Sequence, residues 1–417
     1  MSAAPTYREL LVHHVNFRRV WLGEVVSFLG DWFSLIALYT VVQELTDSKL
    51  ALAGVLVGKT LPIFLVTPVA GPLVDRVDRR LLMIATDMAR AALVLGLIAA
   101  WAFRSLPLLY LSLALQMAFA GIFIPARTAV IGQITNDREL PVAMALSGGT
   151  WSIMLAFGAA LGGLLTSLVG IYGALLLDGL TYLVSAAFLW GLPALPPGDA
   201  TSKESGSFAE GLRYLQGTPW LMTILLLKPL MAVQAAALVM LPVFGNGVFP
   251  LAAGPVFVGL LYSARGFGAL VGSMGVRRLT GDSEEALVAA IPVAFLGASV
   301  CYLLVSWAPN IAWALLGFFG AALGTGTIWV FTGTLAQRAS DDAFRGRVFA
   351  LEWGAMTLVS ALAAAGAGAV SDRFGLEPRQ IVAATALYLA LPGLVWPLVA
   401  RRTTPWGTTL ESAQARP

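Results

Sequence analysis

The chain alternates between long apolar stretches and short polar breaks along most of its length. A bilayer core is about 30 Å thick, so about 20 apolar residues in a helix are enough to cross it. Runs of this kind, ended by charged, Pro/Gly and Asn/Asp clusters, predict twelve membrane spans. The spans are expected near residues 17–43, 51–74, 81–103, 107–132, 140–168, 172–192, 219–244, 254–275, 286–306, 309–336, 346–370 and 380–400. The pattern therefore predicts an all-α membrane protein.

The span count depends on two short breaks, at residues 169–171 and 307–310. If either break were absent, the count would be odd and the two chain ends would lie on opposite sides of the membrane. Most lysines and arginines outside the spans fall in loops that an even count places on one side, together with both termini. The positive-inside rule then predicts that both termini are cytoplasmic.

The longest polar break divides the chain near its middle. We predict an N-terminal six-helix half (residues 1–192), a cytoplasmic linker (193–218) and a C-terminal six-helix half (219–402). The Pro/Gly/Ser-rich front of the linker is followed by "SFAEGLRYL", which is typical of a short amphipathic helix on a membrane surface. The polar tail (403–417) is expected to be disordered.

Composition supports a membrane protein and excludes several other classes. The chain is 58% hydrophobic and 12% charged, whereas soluble domains carry about 25% charged residues. The single cysteine, Cys301, excludes an internal disulfide, and the only histidines, His13 and His14, precede the first span. No cofactor, metal site or nucleic-acid partner is expected. A cleaved signal is not expected at residues 1–16, so the first helix should remain in the protein.

The two predicted halves share features at matching positions. "PARTAVIGQITNDRELPVAMAL" (125–146) parallels "FTGTLAQRASDDAFRGRVFAL" (331–351), and "GPLVDRVDRR" after the second span parallels "GSMGVRRL" after the eighth. Each counterpart lies six spans further along the chain. Such parallel repeats are found in transporters that bind substrate near the middle of the membrane, between two similar halves.

The loop after the second span carries the most specific motif. With twelve spans and "GPLVDRVDRR" at this place, residues 17–400 resemble the major facilitator superfamily, whose loop pattern is G-x-L-x-D-R-x-G-R-[RK]-x-x-L. Asp78 replaces the second glycine of the pattern, and Met83 replaces the last leucine. "SFLGDWF", "PARTAVI" and "GAALGGLL" further resemble the drug- and siderophore-exporter branch, of the macrolide-efflux and enterobactin-exporter type.

The resemblance implies a cytoplasmic gate that closes the transporter on one side. In the loop, an aspartate can accept hydrogen bonds at a helix N-terminus, and arginines can bind carboxylates. By resemblance, Asp75 would face the start of the eleventh span, near Arg345 and Arg347. The residues assigned to the gate, including charged groups at the ends of the third and fourth spans, are Gly71, Asp75, Arg76, Arg79, Arg80, Asp87, Arg90 and Arg127. Orientation of the protein in the membrane is the alternative role of the arginines.

Ionisable residues inside the spans are the main candidates for function. A charge at the bilayer centre costs about 2.5–3.5 kcal/mol or more, so such groups normally face a cavity or a partner. Asp31 and Glu24 lie seven residues apart on one face of the first span, and we predict that they couple transport to protons. Structural pairing is the alternative, in which Asp31 neutralises Lys59. Asp178, in the sixth span, has no obvious partner in the sequence.

Further residues are predicted to line the substrate cavity or to pack helices together. The cavity set combines charged groups with deep aromatic side chains: Lys59, Lys228, Arg265, Glu352, Trp32, Phe33, Trp329 and Trp353. Gly158, Gly162 and Gly163 allow close helix contact in the fifth span. The family's antiporter motif has proline where this chain has Ala159. The family's proton-linked arginine, four residues before Gly121, is replaced by Met117.

These features predict a secondary active exporter that works by alternating access, as a monomer in the bacterial cell membrane. Its partners would be the lipid bilayer, protons and a mid-sized amphipathic small molecule, such as a drug or siderophore. No nucleotide-binding loop or soluble catalytic domain is recognisable, so an enzyme or an ATP-driven pump is not expected. Two alternatives are a lipid or lysolipid flippase of the same fold and a receptor or scaffold that transports nothing.

Overall fold

A computed structural model describes residues 6–196, 208–249, 254–281 and 283–403. The predicted disordered tail, apart from Thr403, and the Pro/Gly/Ser-rich part of the linker lie outside the described residues. Those ranges contain fifteen α-helices, and most of them match the predicted spans to within a few residues. The helices are α1 (Tyr7–His13), α2 (Val15–Leu45), α3 (Lys49–Val74), α4 (Arg79–Ala102), α5 (Leu106–Ile134), α6 (Leu140–Ile153), α7 (Ala159–Trp190), α8 (Phe208–Gln216), α9 (Pro219–Ala232), α10 (Ala235–Val243), α11 (Pro255–Thr280), α12 (Glu284–Ser306), α13 (Ile311–Ala339), α14 (Asp342–Phe374) and α15 (Pro378–Thr403).

Eleven helical stretches of the described residues are long and apolar enough to cross a membrane. One of them, Leu140–Trp190, has 51 residues, which at 1.5 Å per residue is far longer than the bilayer is thick. Inside α7 the backbone of Gly170 adopts φ 72° and ψ 180°, a conformation open to glycine and outside any helix. The stretch is therefore two spans that meet at Gly170, and the break predicted at 169–171 is confirmed. The second short break is also present, because α12 ends at Ser306 and α13 begins at Ile311. The prediction of twelve spans in an all-α membrane protein is thus confirmed.

The chain forms two compact units. The first comprises residues 1–203 and 245–263, and the second comprises residues 204–244 and 264–417. The start of α11 therefore belongs to the first unit, although it follows the middle of the chain.

In the first unit, α2 packs against α7, α4 against α5 and α7, and α3 against α5. An apolar cluster that includes Leu10, Phe17, Val74 and Met83 fills one end of this unit, beside α1 and the α3–α4 loop. In the second unit, α12 packs against α13 and α15, while α14 packs against α9 and α10. Glycines let these helices approach closely. A Cβ atom at Gly317, for example, would lie 2.9 Å from the carbonyl oxygen of Cys301.

Candidate functional site

A buried charge cluster lies at the centre of the first unit, where α2, α4 and α7 meet. Arg90 donates from Nη2 to both carboxylate oxygens of Asp31, each at 3.2 Å. The hydroxyl of Tyr182 donates to Asp31 Oδ1 at 2.7 Å and accepts from Arg90 at 3.0 Å. The guanidinium also lies 4.0 Å from the centroid of the Tyr182 ring. Arg90 and Tyr182 together therefore hold the Asp31 carboxylate by charge-assisted hydrogen bonds.

Two more charged residues complete this cluster. Arg90 Nη1 lies 3.4 Å from Asp87 Oδ1, and the Asp87 side chain is fully buried. Asp87 and Arg90, predicted to act at the gate, are thus placed with Asp31. Lys59 Nζ donates to the backbone carbonyl of Asp31 at 3.2 Å, so the carboxylate of Asp31 pairs with Arg90 and not with Lys59.

Glu24 belongs to a second buried site in the first unit. Arg127 Nη1 lies 2.5 Å from Glu24 Oε1, and the hydroxyl of Ser147 donates to both carboxylate oxygens at 2.8 and 2.6 Å. The Arg127 guanidinium also lies 5.6 Å from the ring centroid of Phe28. Glu24 and Asp31, predicted to act together, have separate partners, and Arg127 binds Glu24 from the end of α5.

The α3–α4 loop uses its arginines mainly within the first unit. Asp75 has 65% of its side chain exposed and lies 3.9 Å from Arg79 Nη2. Arg79 also donates to Gln133 Oε1 at 3.0 Å, and Arg80 donates to the carbonyl of Trp190 at 2.6 Å, at the end of α7. The latter contact places a cation at a helix C-terminus, where unpaired carbonyls favour it. Two further predicted gate residues lie in open surroundings within the described structure: a Cβ at Gly71 would have no neighbour within 4 Å, and Arg76 is exposed.

Asp78, which departs from the family's loop pattern, makes two specific contacts. Its Oδ1 accepts from the backbone N–H of Leu81 at 3.0 Å and so caps α4. Its Oδ2 accepts from the N–H of Leu195 at 2.9 Å, and Leu195 in turn accepts from the N–H of Arg79 at 3.0 Å. Asp78 thereby ties the chain that follows α7 to the start of α4, a contact that glycine could not make.

The second unit contains its own buried ion pair. Lys228 Nζ on α9 lies 2.7 Å from Glu352 Oε2 on α14. The ammonium is also 4.9 Å from the ring centroid of Trp329, which contacts Trp353 edge to face at 5.9 Å. Trp329 and Trp353 are 39% and 49% exposed. Four of the predicted cavity residues therefore form one cluster in which an ion pair adjoins an accessible aromatic surface.

The other predicted cavity residues lie apart from this cluster. Arg265 on α11 is half-buried, and its positive charge interacts with the Tyr302 hydroxyl. In the first unit, the rings of Trp32 and Tyr262 are 5.9 Å apart, and Phe33 is buried.

The predicted packing glycines lie against neighbouring helices of the first unit. A Cβ at Gly158 would lie 2.6 Å from the Trp32 ring, and one at Gly162 would lie 2.6 Å from the Trp32 carbonyl oxygen. A Cβ at Gly163 would collide with the carbonyl of Pro255 at the start of α11. A π-helical turn, Met154–Gly158, precedes these contacts, and the backbone N–H of Ala160 donates to Ser263 Oγ at 3.0 Å.

The predicted amphipathic helix corresponds to α8, which packs against α14 in the second unit. The Tyr214 hydroxyl accepts from the N–H of Asp341 at 3.0 Å, and its ring stacks on Phe344 at 4.4 Å. Glu210 pairs with Arg347 at 3.2 Å. Arg347, expected near Asp75 by resemblance, therefore has a partner on α8.

Sequence reasoning missed Tyr182, Ser147 and Gln116 as parts of the buried sites. Gln116 Nε2 donates to the Tyr182 hydroxyl at 3.4 Å. A hydroxyl or amide in an apolar span is a weak signal, because these groups can also bond to their own helix. The clearer signal is that buried charges need polar partners, which directs attention to the few polar side chains of the same spans.

Solved structures of other transporters share this fold. A POT family transporter in complex with 5-aminolevulinic acid is similar with a TM-score of 0.74 and 13% sequence identity, covering 96% of this chain and 99% of that chain. A bacterial homologue of the iron transporter ferroportin in an inward-facing state is similar with a TM-score of 0.71 and 14% identity, covering 92% and 98% of the two chains. At these identities the likeness concerns the fold alone.

Relatives with higher identity are also transporters. The multidrug efflux pump Tap of Mycobacterium tuberculosis (strain CDC 1551 / Oshkosh) is 28% identical over 402 residues, covering 92% of each chain. YfiS of Bacillus subtilis (strain 168), an uncharacterized MFS-type transporter, is 26% identical, covering 88% of this chain and 89% of YfiS. The putative bacilysin exporter BacE of the same organism is 26% identical, covering 81% and 84%. A family model of the Major Facilitator Superfamily matches residues 20–364. The chain therefore belongs to the Major Facilitator Superfamily and is a multi-pass membrane transporter, not an enzyme.

Proposed function

We propose that this transporter is a secondary active exporter that works by alternating access. Protons moving in the opposite direction would drive the efflux of a mid-sized amphipathic compound, such as a drug or siderophore. Relatives named as exporters, Tap and BacE, support efflux as the direction of transport. In bacteria, such a protein would act in the cell membrane, as a monomer, with both termini in the cytoplasm.

The observation that carries the proposal is the buried Asp31–Arg90–Tyr182 cluster. An ion pair at this depth costs several kcal/mol in desolvation, and a helix bundle does not need one to be stable. Asp31 keeps 23% of its side chain exposed while bonded to a nearly buried arginine. This arrangement supports Asp31 as the residue through which proton binding changes the contacts between α2 and α4. The Glu24–Arg127–Ser147 site is proposed to act in the same way between α2, α5 and α6.

Substrate binding is proposed to involve the Lys228 cluster of the second unit. An exposed tryptophan pair offers apolar area with little conformational freedom to lose, and Trp329 already faces an ammonium group. Glu352 Oε1 is buried and has no hydrogen-bond partner in the described part of the chain, so a donor on a ligand would bind it in a state in which the site is open. An amphipathic compound with a donor group beside an apolar body fits this chemistry. Lys59 in the first unit and Arg265 in the second are proposed to add polarity for substrate binding, each within its own unit.

The cytoplasmic gate is proposed to depend on Asp75. Among the described residues, its exposed side chain makes one long ion pair, to Arg79, so it can accept stronger bonds in another state of the transport cycle. The arginines around it are already engaged with the ends of neighbouring helices. Asp75→Asn should therefore slow transport without destabilising the protein, and a variant that transports normally would contradict the gate role.

The proposal is tested by proton flux in proteoliposomes. Purified protein would be reconstituted with an internal pH dye and exposed to a panel containing a macrolide, a siderophore, a dipeptide antibiotic and a fluorescent lysolipid. Wild type should move protons in response to at least one of the soluble compounds, and Asp31→Asn should not. If the lysolipid were the only compound transported, the cargo would be a lipid and the protein would be a flippase. A lack of any compound-dependent proton flux in wild type would overturn proton-coupled export.

A further inference from the structure

Asp178 is a fully buried acid of the first unit that the contacts described above leave out. It lies on α7, its relative exposure is 0%, and neither carboxylate oxygen has a hydrogen-bond partner in the described part of the chain. An ionised carboxylate without partners in an apolar interior is strongly disfavoured, because it loses its hydration and gains nothing in return. A carboxyl group in this position is expected to bind a proton.

The Asp178 carboxyl packs closely against α2, with the Ser34 side chain beside it. The backbone of Gly30 on α2 faces Asp178 directly, and a Cβ atom at Gly30 would lie 2.7 Å from Asp178 Oδ1 and would collide with Thr181. Asp178 therefore contacts α2 one residue before Asp31. The Asp178 and Asp31 carboxyls therefore lie on facing helices, near enough for their charges to interact.

The charges around Asp178 do not balance. Tyr182, on the same helix, is a neutral titratable neighbour of Asp178. The charged groups around Asp178 are Asp31 on α2, Lys59 on α3 and Arg90 on α4, and Arg90 also pairs with Asp87. With all of them ionised, three acids would oppose two bases and leave one excess negative charge inside the membrane. Binding one proton neutralises the cluster at a lower free-energy cost than burying that charge.

The hydrogen bonds indicate which acid takes the proton. Asp31 accepts from Arg90 and Tyr182, and Asp87 accepts from Arg90, so both carboxylates are stabilised in their ionised form. Asp178 accepts from none of these donors. We propose that Asp178 holds the proton in this arrangement and is the residue that releases it during transport. The inference deepens the proton coupling proposed above, in which Asp31 relays the change to α2 and α4.

Lys59 is the cation that can replace the proton. Its ammonium donates to the neutral carbonyl of Asp31, and no carboxylate lies within ion-pair distance among the described residues. When the Asp178 carboxyl loses its proton to water, a carboxylate remains, and Lys59 can balance its charge by turning towards α7. Proton release and movement of Lys59 are therefore one step.

Infrared spectroscopy of the purified protein tests the protonation without any substrate. Wild type at neutral pH should show the C=O stretching band of a protonated carboxylic acid, and Asp178→Asn should remove it. Asp75→Asn is the control, because it removes a mostly exposed carboxyl from the α3–α4 loop, and it should leave the band unchanged. Lys59→Met should keep the band at an alkaline pH at which wild type has lost it. A band that survives in Asp178→Asn, or is absent from wild type, would overturn the proposal.

Transport measurements then separate this inference from the proposed function. For one proton per substrate, a pH difference of one unit supports about tenfold accumulation. Asp178→Asn should abolish accumulation but retain exchange of labelled for unlabelled substrate, which needs no net proton movement. If wild type transports no compound, the proposed function fails, while the infrared result still decides where the proton lies. If Asp178→Asn accumulates substrate as wild type does, Asp178 is not the transported-proton site.

Discussion

Lys228 and Glu352 form an ion pair of 2.7 Å between α9 and α14, with both side chains nearly buried. Removal of either partner leaves an uncompensated charge, which costs about 3–5 kcal/mol in buried pairs. We expect Lys228→Met and Glu352→Gln each to lower the thermal stability of the purified protein clearly. The double variant Lys228→Met/Glu352→Met should lose less than the two single losses combined. The stabilities of the single and double variants are measured by thermal unfolding in detergent, monitored by tryptophan fluorescence.

The exposed pair between Arg347 and Glu210 is the control for this experiment. Its side chains are 26% and 49% exposed, and surface pairs contribute about 0–1 kcal/mol. Arg347→Gln should therefore change stability only slightly. Equal losses from Arg347→Gln and Lys228→Met would show that burial does not determine the effect.

Arg90→Lys keeps the positive charge but loses the planar group that reaches both oxygens of Asp31. We expect it to reduce transport as severely as Arg90→Gln. Tyr182→Phe, which removes one donor to Asp31, should have a smaller effect, since a hydrogen bond to a charged group contributes about 1.5–3 kcal/mol. Initial rates of export by cells, corrected for membrane expression, compare the three variants. Full activity of Arg90→Lys would show that charge alone is required.

Asp78→Ala should destabilise the first unit by more than Asp75→Ala. Asp78 caps α4 and also binds the N–H of Leu195, and loss of a helix cap costs about 0.5–2 kcal/mol. Asp75, three residues earlier in the same loop, is mostly exposed and should cost less than about 0.5 kcal/mol. Thermal unfolding of the two variants tests this difference, and the reverse order would contradict it.

Gly30→Ala should destabilise the protein, although alanine normally favours a helix over glycine by about 0.5–1 kcal/mol. The added methyl would lie 2.7 Å from Asp178 Oδ1 and would force α2 and α7 apart. Gly148→Ala in α6 is the matched control, because nothing lies within 4 Å of its would-be Cβ. We expect Gly148→Ala to be neutral or stabilising in the same unfolding assay. A neutral Gly30→Ala would mean that the contact between α2 and α7 is not tight.

The start of α1 should respond to acid. The Thr6 N–H donates to Glu9 Oε2 at 2.7 Å in a capping box, and these hydrogen bonds lower the pKa of the Glu9 carboxyl. A lowered pKa in the folded state means that the cap is intact above the carboxyl's ordinary pKa and is lost as the pH falls through the lowered value. The protection of the first turn of α1 against hydrogen exchange, relative to the intrinsic rate at each pH, should therefore be lost only in acid. Thr6→Ala should exchange quickly already at neutral pH, and no difference between the two proteins would contradict the cap.

The sequence predicted the spans well because each span is a local property of about 20 residues. It even placed the turn at Gly170, where one glycine interrupts an apolar run. The pairing of charges was harder to predict from the sequence, because it depends on how each helix is rotated about its axis. Asp31 was predicted to couple protons, with neutralisation of Lys59 as the alternative, and its carboxylate binds Arg90, a residue assigned to the gate. Tyr182 gave no signal in the sequence, because a tyrosine in an apolar span is usually a packing residue.

The turn at Gly170 also bears on how the protein enters the membrane during synthesis. The surrounding sequence, "LLTSLVGIYG" (164–173), contains no charged residue. Nothing at this end of the two helices can anchor them to either side, and the turn is too short to leave a polar loop outside. We therefore expect the insertion machinery to admit the two helices as one hairpin, whose orientation is decided by the basic residues beyond its other ends, Arg138 and Lys203.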